Sequence, residues 1–212
     1  MSSDPTVFVV DDDPDVLRSI KFLVESVGLS VECYKSGQEF MDAYEPARSG
    51  CLILDLRMPG LSGLDVQKRL NEFKIQIPII IVTAHGEVET AVRSMREGAF
   101  DFINKPYSKQ LLLDRIQQAL TKDREARRNS ALLDELSNLV AQLSVRERQV
   151  MEMVAHGKSN KDIAGALGIS PKTVEFHRAR LMEKLKVGSL AELVRLAVKI
   201  EGSPGPKRGS GE

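Results

Sequence analysis

Cys51-Leu52-Ile53-Leu54-Asp55-Leu56-Arg57-Met58-Pro59-Gly60 is an apolar run that stops at a carboxylate and passes at once into a turn-rich loop. Three other runs in the first half of the chain also end in polar residues. Val7-Phe8-Val9-Val10 meets Asp11-Asp12-Asp13, Ile79-Ile80-Ile81-Val82 meets Thr83, and Phe100-Asp101-Phe102-Ile103-Asn104 meets Lys105. Helical patterns separate the runs through residue 120, and this alternation predicts βαβ units around a parallel sheet. The carboxyl ends of parallel strands share one edge, where open α/β sheets carry their sites. A carboxylate cluster, a hydroxyl and an ammonium would meet there, with Asp55 as the pivotal residue.

Working outward, Asp13-Pro14 forms an N-cap and first-turn pair for a helix over about Pro14–Val27, with Val16, Leu17, Ile20, Val24 and Val27 at helical spacing and Gly28 past its end. Val31–Tyr34 predicts a second strand, and Ser36-Gly37-Gln38-Glu39 a capping box. Further helices are predicted after Gly63, at about Val88–Glu97 and at about Lys109–Ala119. The first half thus reads as five strands and five helices in alternation.

A chain of 212 residues accommodates two modest domains. Cys33 and Cys51 stand among β-favouring residues and read as small buried hydrophobes of a reducing compartment. No apolar run approaches the roughly 20 residues that span a bilayer, so the expectation is a soluble, cytoplasmic protein with no membrane partner. The formal net charge of zero hides an asymmetry: residues 1–120 carry 13 Lys and Arg against 18 Asp and Glu, whereas residues 144–212 carry 13 against 8. An acidic half and a basic half fit a metal-binding domain joined to a nucleic-acid-binding one, although charge alone equally describes solvated surface.

From Thr121 to Gln142 the chain is charged and then amphipathic, and Leu132, Leu136, Leu139 and Leu143 form a short helical seam. That seam could pair with another helix or pack on the chain's own domains. The last module, Leu143 to about Ile200, has no strand pattern. Ser144 and Glu147 predict a capping box and Gly157 a helix end; a short helix through Ile163 and Leu167 breaks at Gly168, and Ser170-Pro171 opens a longer basic helix. Met151, Val154, Ile163, Leu167, Val174 and Leu181 read as core. Short helix, glycine turn and longer basic helix make the helix-turn-helix pattern. Residues 201–212, rich in Gly, Pro and Ser, read as a disordered tail.

The chemistry at the acidic edge follows from its charges. An aspartate meets a phosphoryl group as one anion meets another, so catalysis must come from positioning and neutralisation. Asp12, Asp55 and a backbone carbonyl beyond Asp55 offer hard oxygen ligands for Mg²⁺. Lys105 can bind a phosphate oxygen and Thr83 can donate to another. Singly, these residues also read as helix caps, a loop charge and a strand-end hydroxyl.

Val9-Val10-Asp11-Asp12, Leu54-Asp55-Leu56-Arg57-Met58-Pro59-Gly60, Val82-Thr83-Ala84 and Asn104-Lys105-Pro106 together resemble the receiver domain of two-component response regulators, over about residues 5–122. The resemblance implies a doubly wound, flavodoxin-like sheet. It further implies that Asp55 accepts phosphate from a sensor histidine kinase, and that Mg²⁺ or Mn²⁺ is held by Asp12, Asp55 and the Arg57 carbonyl, with Asp11 helping through water. Thr83 is then the switch hydroxyl, Lys105 the phosphate-binding ammonium and Phe102 the switch aromatic. His85, His156 and His177 lie in no helical-hairpin context for a phosphohistidine, so the donor acts in trans.

Leu143–Val150, Ser159–Ala164 and Ser170–His177 resemble the LuxR-type DNA-binding domain, over Leu143–Val198. Joined to a receiver by a helical linker at 123–142, this four-helix unit of about residues 143–200 looks like the FixJ branch of the NarL/FixJ regulators. By that resemblance Lys172, Glu175, Phe176 and Ala179 face base edges of double-stranded DNA, and Lys161, Thr173, His177, Arg178 and Arg180 lie near phosphates. The expected protein is a Mg²⁺-dependent regulator that dimerises on phosphorylation, binds DNA, engages RNA polymerase and activates transcription, and is an enzyme only toward its own aspartyl phosphate. Its rivals are an interaction module that dimerises regardless of phosphate and an aspartate-nucleophile phosphohydrolase. Asp55-Leu56-Arg57 lacks the second acid such a hydrolase needs for general acid work.

Overall fold

Strands β1 (Thr6–Val10), β2 (Ser30–Tyr34), β3 (Gly50–Leu54), β4 (Ile79–Thr83) and β5 (Asp101–Asn104) form one parallel sheet in the order β2-β1-β3-β4-β5. The computed structural model describes residues 4–84 and 88–201, with side chains through residue 196. Helices α1 (Pro14–Glu25), α2 (Gly37–Ala43), α3 (Gly63–Glu72) and α4 (Val88–Arg96) make the crossovers, and α5 (Lys109–Ala141) follows β5. Parallel strands need such crossovers, and the helices cover both faces of the sheet. One core gathers Phe8, Val10, Leu52, Leu54 and Ile81; the other gathers Val7, Val9, Ile53, Ile80 and Val82. Burial on both faces is why these strands read as unbroken apolar runs.

Local signals set most element ends. Asp13 accepts the Asp15 amide at 2.8 Å and Pro14 occupies the first turn of α1. The helix ends at Glu25 rather than at the expected Val27, because the Val27 and Gly28 amides donate to Val24 and Glu25 in a tightened terminal turn. Val27 is consequently half exposed instead of completing the buried stripe. The Ser36 hydroxyl accepts the Glu39 amide, but the Glu39 carboxylate takes the Lys35 amide at 2.7 Å, so the box closes one residue early. Cys51 is buried, Cys33 half-buried, and both are free thiols.

Helix α5 continues well beyond the expected end near Ala119, since no Gly or Pro interrupts Lys109–Ala141. Buried Asp123 accepts the Gly50 amide at 3.0 Å and pairs with Arg127 at 2.9 Å. Arg127 in turn donates to the Ala47 and Arg48 carbonyls. These contacts tie α5 to the amino end of β3.

The chain divides into two compact units after Arg128. The second contains α6 (Val145–Ala155), α7 (Asn160–Leu167), α8 (Pro171–Lys184) and α9 (Leu190–Glu201). Val150, Met151, Val154, Ile163, Val174, Leu181 and Leu193 form its core, with Leu139, Val140 and Leu167 packed against it. Of the leucine seam, Leu143 is buried and Leu139 joins this core, while Leu132 is 42% exposed. Gly168 takes the left-handed conformation, φ 66°, which turns the chain between α7 and α8. Residues 202–212 of the tail read as disordered, and His85, lie outside the described residues. Among the described residues no helix is long and apolar enough to cross a membrane.

Candidate functional site

The sheet order reverses between β1 and β3, and the residues that follow these two strands, Asp11 and Asp55, lie side by side. The ladder pairs Val10 with Leu54, and the Asp55 amide donates to the Val10 carbonyl at 2.9 Å. This is the switch-point crevice in which such sheets bind ligands. Gly63 lets the following loop fold back onto the strand end: a Cβ there would lie 2.2 Å from the Asp55 carbonyl oxygen. That close approach, with the Gly63 amide donating to the Leu56 carbonyl at 3.0 Å, holds the Arg57–Ser62 loop over the crevice.

Lys105 reaches this crevice from the end of β5. Its amide donates to the Thr83 carbonyl at 2.8 Å, and its ammonium lies 2.6 Å from Asp11 Oδ2 and 3.2 Å from Asp55 Oδ1. Asp55 Oδ2 accepts the Arg57 amide at 2.7 Å, and Asp11 Oδ1 accepts the Asp13 amide at 2.9 Å. The Asp11 and Asp55 side chains are 5% and 8% exposed, against 20% for Lys105, so the pairs form in a low-dielectric cleft where they are little screened. Burial pushes the Asp11 carboxyl above the usual carboxylate range, against the opposing pull of Lys105. For Lys105 burial favours the neutral amine, but the hydrogen bond and charge of Asp11, with the charge of Asp55, outweigh it and hold the ammonium above its ordinary value.

Asp11, Asp55 and Lys105 are therefore brought into one cluster. Asp12 follows Asp11 with an exposed side chain, and Thr83 is fully buried at the end of β4. Phe102 is half-buried and packs against the core that includes Leu54 and Ile81. Among the described residues no three acidic, His or Cys side chains converge closely enough to hold a metal ion as they stand. The ammonium of Lys105 occupies the space between two of the carboxylates instead. The donor chemistry nevertheless fits a hard dication: two carboxylates share a single ammonium with Asp12 beside them, and oxygen ligands with retained water are what Mg²⁺ takes.

In the second unit, α8 buries Val174 and Leu181 on one side and exposes Lys172, Glu175, Phe176, Ala179 and Arg180 on the other. Lys161 is exposed in the first turn of α7, while Thr173, His177 and Arg178 are half-buried. Arg178 donates to Asn160 Oδ1 at the start of α7, and Lys184 pairs with Glu147 of α6 at 2.6 Å. The Asn160 and Glu147 partnerships escape sequence reasoning, since residues 18 and 37 positions apart share no periodic signal.

A switch-point acidic crevice in one unit and a basic helix-turn-helix in the other define a DNA-binding regulator. Residues 7–117 match the response regulator receiver domain, and residues 141–197 match the bacterial regulatory proteins of the luxR family. The chain is 43% identical over 197 residues to the response regulator protein TodT of Pseudomonas putida, covering 93% of this chain and 87% of that one. It is 44% identical over 192 residues to the transcriptional regulatory protein FixJ of Azorhizobium caulinodans, covering 91% of each. Among solved structures it resembles the response regulator StyR, with a TM-score of 0.84 and 44% identity over 93% of this chain and all of that one. Full-length FixJ from B. japonicum matches with a TM-score of 0.58 and 40% identity, covering 95% and 98%. The chain belongs to the two-component response regulators that join a receiver to a LuxR-type DNA-binding domain. Such a receiver implies a histidine kinase as partner, and such a carboxyl-terminal domain implies DNA.

Proposed function

We propose that Asp55 is the phosphoacceptor and that its phosphorylation drives dimerisation, DNA binding and transcriptional activation. The observation that carries this reading is the single ammonium of Lys105 bonded to both Asp11 and Asp55 at the sheet's switch point. It preassembles a nucleophile and a cation that can follow the phosphoryl oxygens. A carboxylate oxygen of Asp55 forms the bond to phosphorus while the bond to the kinase's histidine nitrogen breaks, and that nitrogen leaves as imidazole. Lys105 moves its hydrogen bond from Asp55 to a phosphoryl oxygen, and the Thr83 hydroxyl donates to another.

Asp11, Asp12, Asp55 and the Arg57 carbonyl would hold Mg²⁺ or Mn²⁺, which supplies further neutralisation of negative charge when bound. The aspartyl phosphate carries about −1.5 to −2 charges in place of the single charge of the Asp55 carboxylate, where Lys105 had balanced two carboxylates. Movement of Thr83 toward it frees space for Phe102, and the surface formed by α4 and β5 changes shape. We place a homodimer contact there. The dimer sets two α8 helices on half-sites about one helical turn of DNA apart, with RNA polymerase as the downstream partner. Lys172, Glu175, Phe176 and Ala179 face the bases, and Lys161, Thr173, His177, Arg178 and Arg180 lie along the phosphates.

The decisive experiment measures molecular mass in solution with and without a phosphate mimic and Mg²⁺. A shift from monomer to dimer is expected, absent in Asp55→Asn, which should fold normally yet incorporate no phosphate. A mass that ignores the mimic, or labelling of Asp55→Asn, would overturn the proposal.

A further inference from the structure

Phe176 is 58% exposed, on a helix whose other large apolar side chains are fully buried, Val174 and Leu181, or half-buried against the core, Met182. Among the described residues it is the only large hydrophobic of α8 left in water, so it contributes nothing to the core beneath it. Among the described residues its ring contacts are local: the Arg180 guanidinium carbon lies 5.7 Å from the ring centroid, and His177 meets it edge-on at 5.8 Å. Lys172 stands one turn before it and Arg180 one turn after, on the same face. Ala179, three residues on, offers only a methyl group and leaves room for close approach.

An isolated apolar ring between cations is a poor protein-binding patch, which needs contiguous apolar area. It suits a surface that is anionic at its rims and has one apolar group on its floor. The major groove is such a surface: phosphates line its edges, and the only apolar group the base edges present is the C5 methyl of thymine. The stacked guanidinium of Arg180 limits the ring's freedom, so less conformational entropy is lost on contact.

We propose that Phe176, with Ala179 beside it, selects operators by packing on a thymine methyl group. The inference rests on α8 being the base-reading helix and adds which base it reads. Arg180 holds the helix against the phosphates, and the ring supplies discrimination on the same face as Lys172.

The test uses the full-length chain treated with acetyl phosphate and Mg²⁺. Binding sites are selected from random duplex DNA, and each dT of the selected half-site is then replaced by dU, which removes only the methyl group. At one or two positions the replacement should weaken wild-type binding by about 3- to 10-fold, as expected for losing one or two methyl contacts. Phe176→Ala should bind dT and dU equally at those positions, with an unchanged melting temperature because the ring is exposed. Phe176→Leu should retain part of the preference. A dU scan with no effect at any position, or Phe176→Ala that still prefers dT, would overturn the proposal while leaving base reading by α8 intact. Failure to select any sequence would overturn both.

Discussion

Lys184, the last residue of α8, reaches Glu147 in the first turn of α6, its ammonium 2.6 Å from a carboxylate that is only 7% exposed. The same carboxylate accepts the Ser144 amide at 2.8 Å, so one side chain caps α6 and anchors the end of the recognition helix. Burial pushes the Glu147 carboxyl up, but the hydrogen bonds from Lys184 and Ser144 prevail and hold it below its ordinary value. Its stabilising contribution is complete above the ordinary carboxylate pKa and is lost as pH falls through the lower, folded-state value. Lys184→Met should destabilise the carboxyl-terminal unit by about 1–3 kcal/mol at neutral pH and move its acid unfolding to higher pH. Thermal melts followed by circular dichroism at pH 7 and pH 4 decide the matter; parallel losses in variant and wild type would refute the coupling.

Lys105 competes with any cation for Asp11 and Asp55. Lys105→Met is therefore expected to bind Mg²⁺ more tightly by calorimetric titration, because two buried carboxylates lose their only shared ammonium. Phosphate incorporation should nonetheless slow by about 10²- to 10³-fold, the usual cost of removing one preorganised donor from a developing anion. Weaker Mg²⁺ binding together with unimpaired labelling would contradict both halves of this account.

Asp123 and Arg127 extend the receiver's own bonding past residue 122. Removing the buried carboxylate in Asp123→Ala leaves the Gly50 amide and the Arg127 guanidinium without their shared acceptor. The receiver should lose about 3–5 kcal/mol, the range for breaking a buried ion pair. A fragment ending at residue 120 should melt below one ending at 129, and equal melting temperatures would show the clamp to be idle.

Arg178 and Lys172 look alike by charge but differ in what they touch. Lys172 is exposed, whereas Arg178 is half-buried and donates to Asn160. Lys172→Ala should weaken operator binding by about 1–3 kcal/mol and relax base preference at one position, as loss of a base contact requires. Arg178→Ala should weaken binding by losing both a phosphate contact and the anchor between α7 and α8, and Asn160→Ala should reproduce only the second loss. Gel-shift titrations across a salt series distinguish them: a salt slope that falls for Arg178→Ala but not for Asn160→Ala would make Arg178 a direct phosphate contact.

Much of the first unit was legible because its strands are covered on both faces. Val7–Val10, Leu52–Leu54 and Ile79–Val82 need no polar alternation, so each run announces itself and its polar terminus marks the sheet edge. Helix ends were legible where the cap is a local bond, as at Asp13, Ser144 and Ser170. They were missed where two local geometries compete: the Val27 amide bonds three residues back rather than four, and α5 runs on because nothing in its sequence stops it.

The amino-acid sequence by itself determined the alternation of strands and helices, the polar residues at the strand ends and the basic helix opened by Ser170-Pro171. These rest on interactions within a few residues or on uninterrupted burial. Only the tertiary structure decided which polar residues meet. Lys105 is 94 residues from Asp11 and 50 from Asp55, and their bonds exist because parallel packing aligns the ends of β1, β3 and β5 along one edge. It likewise bonded Arg178 to Asn160 and Lys184 to Glu147, and left Phe176 exposed. A side chain's partners depend on which surfaces are brought together, and chain spacing alone does not carry that.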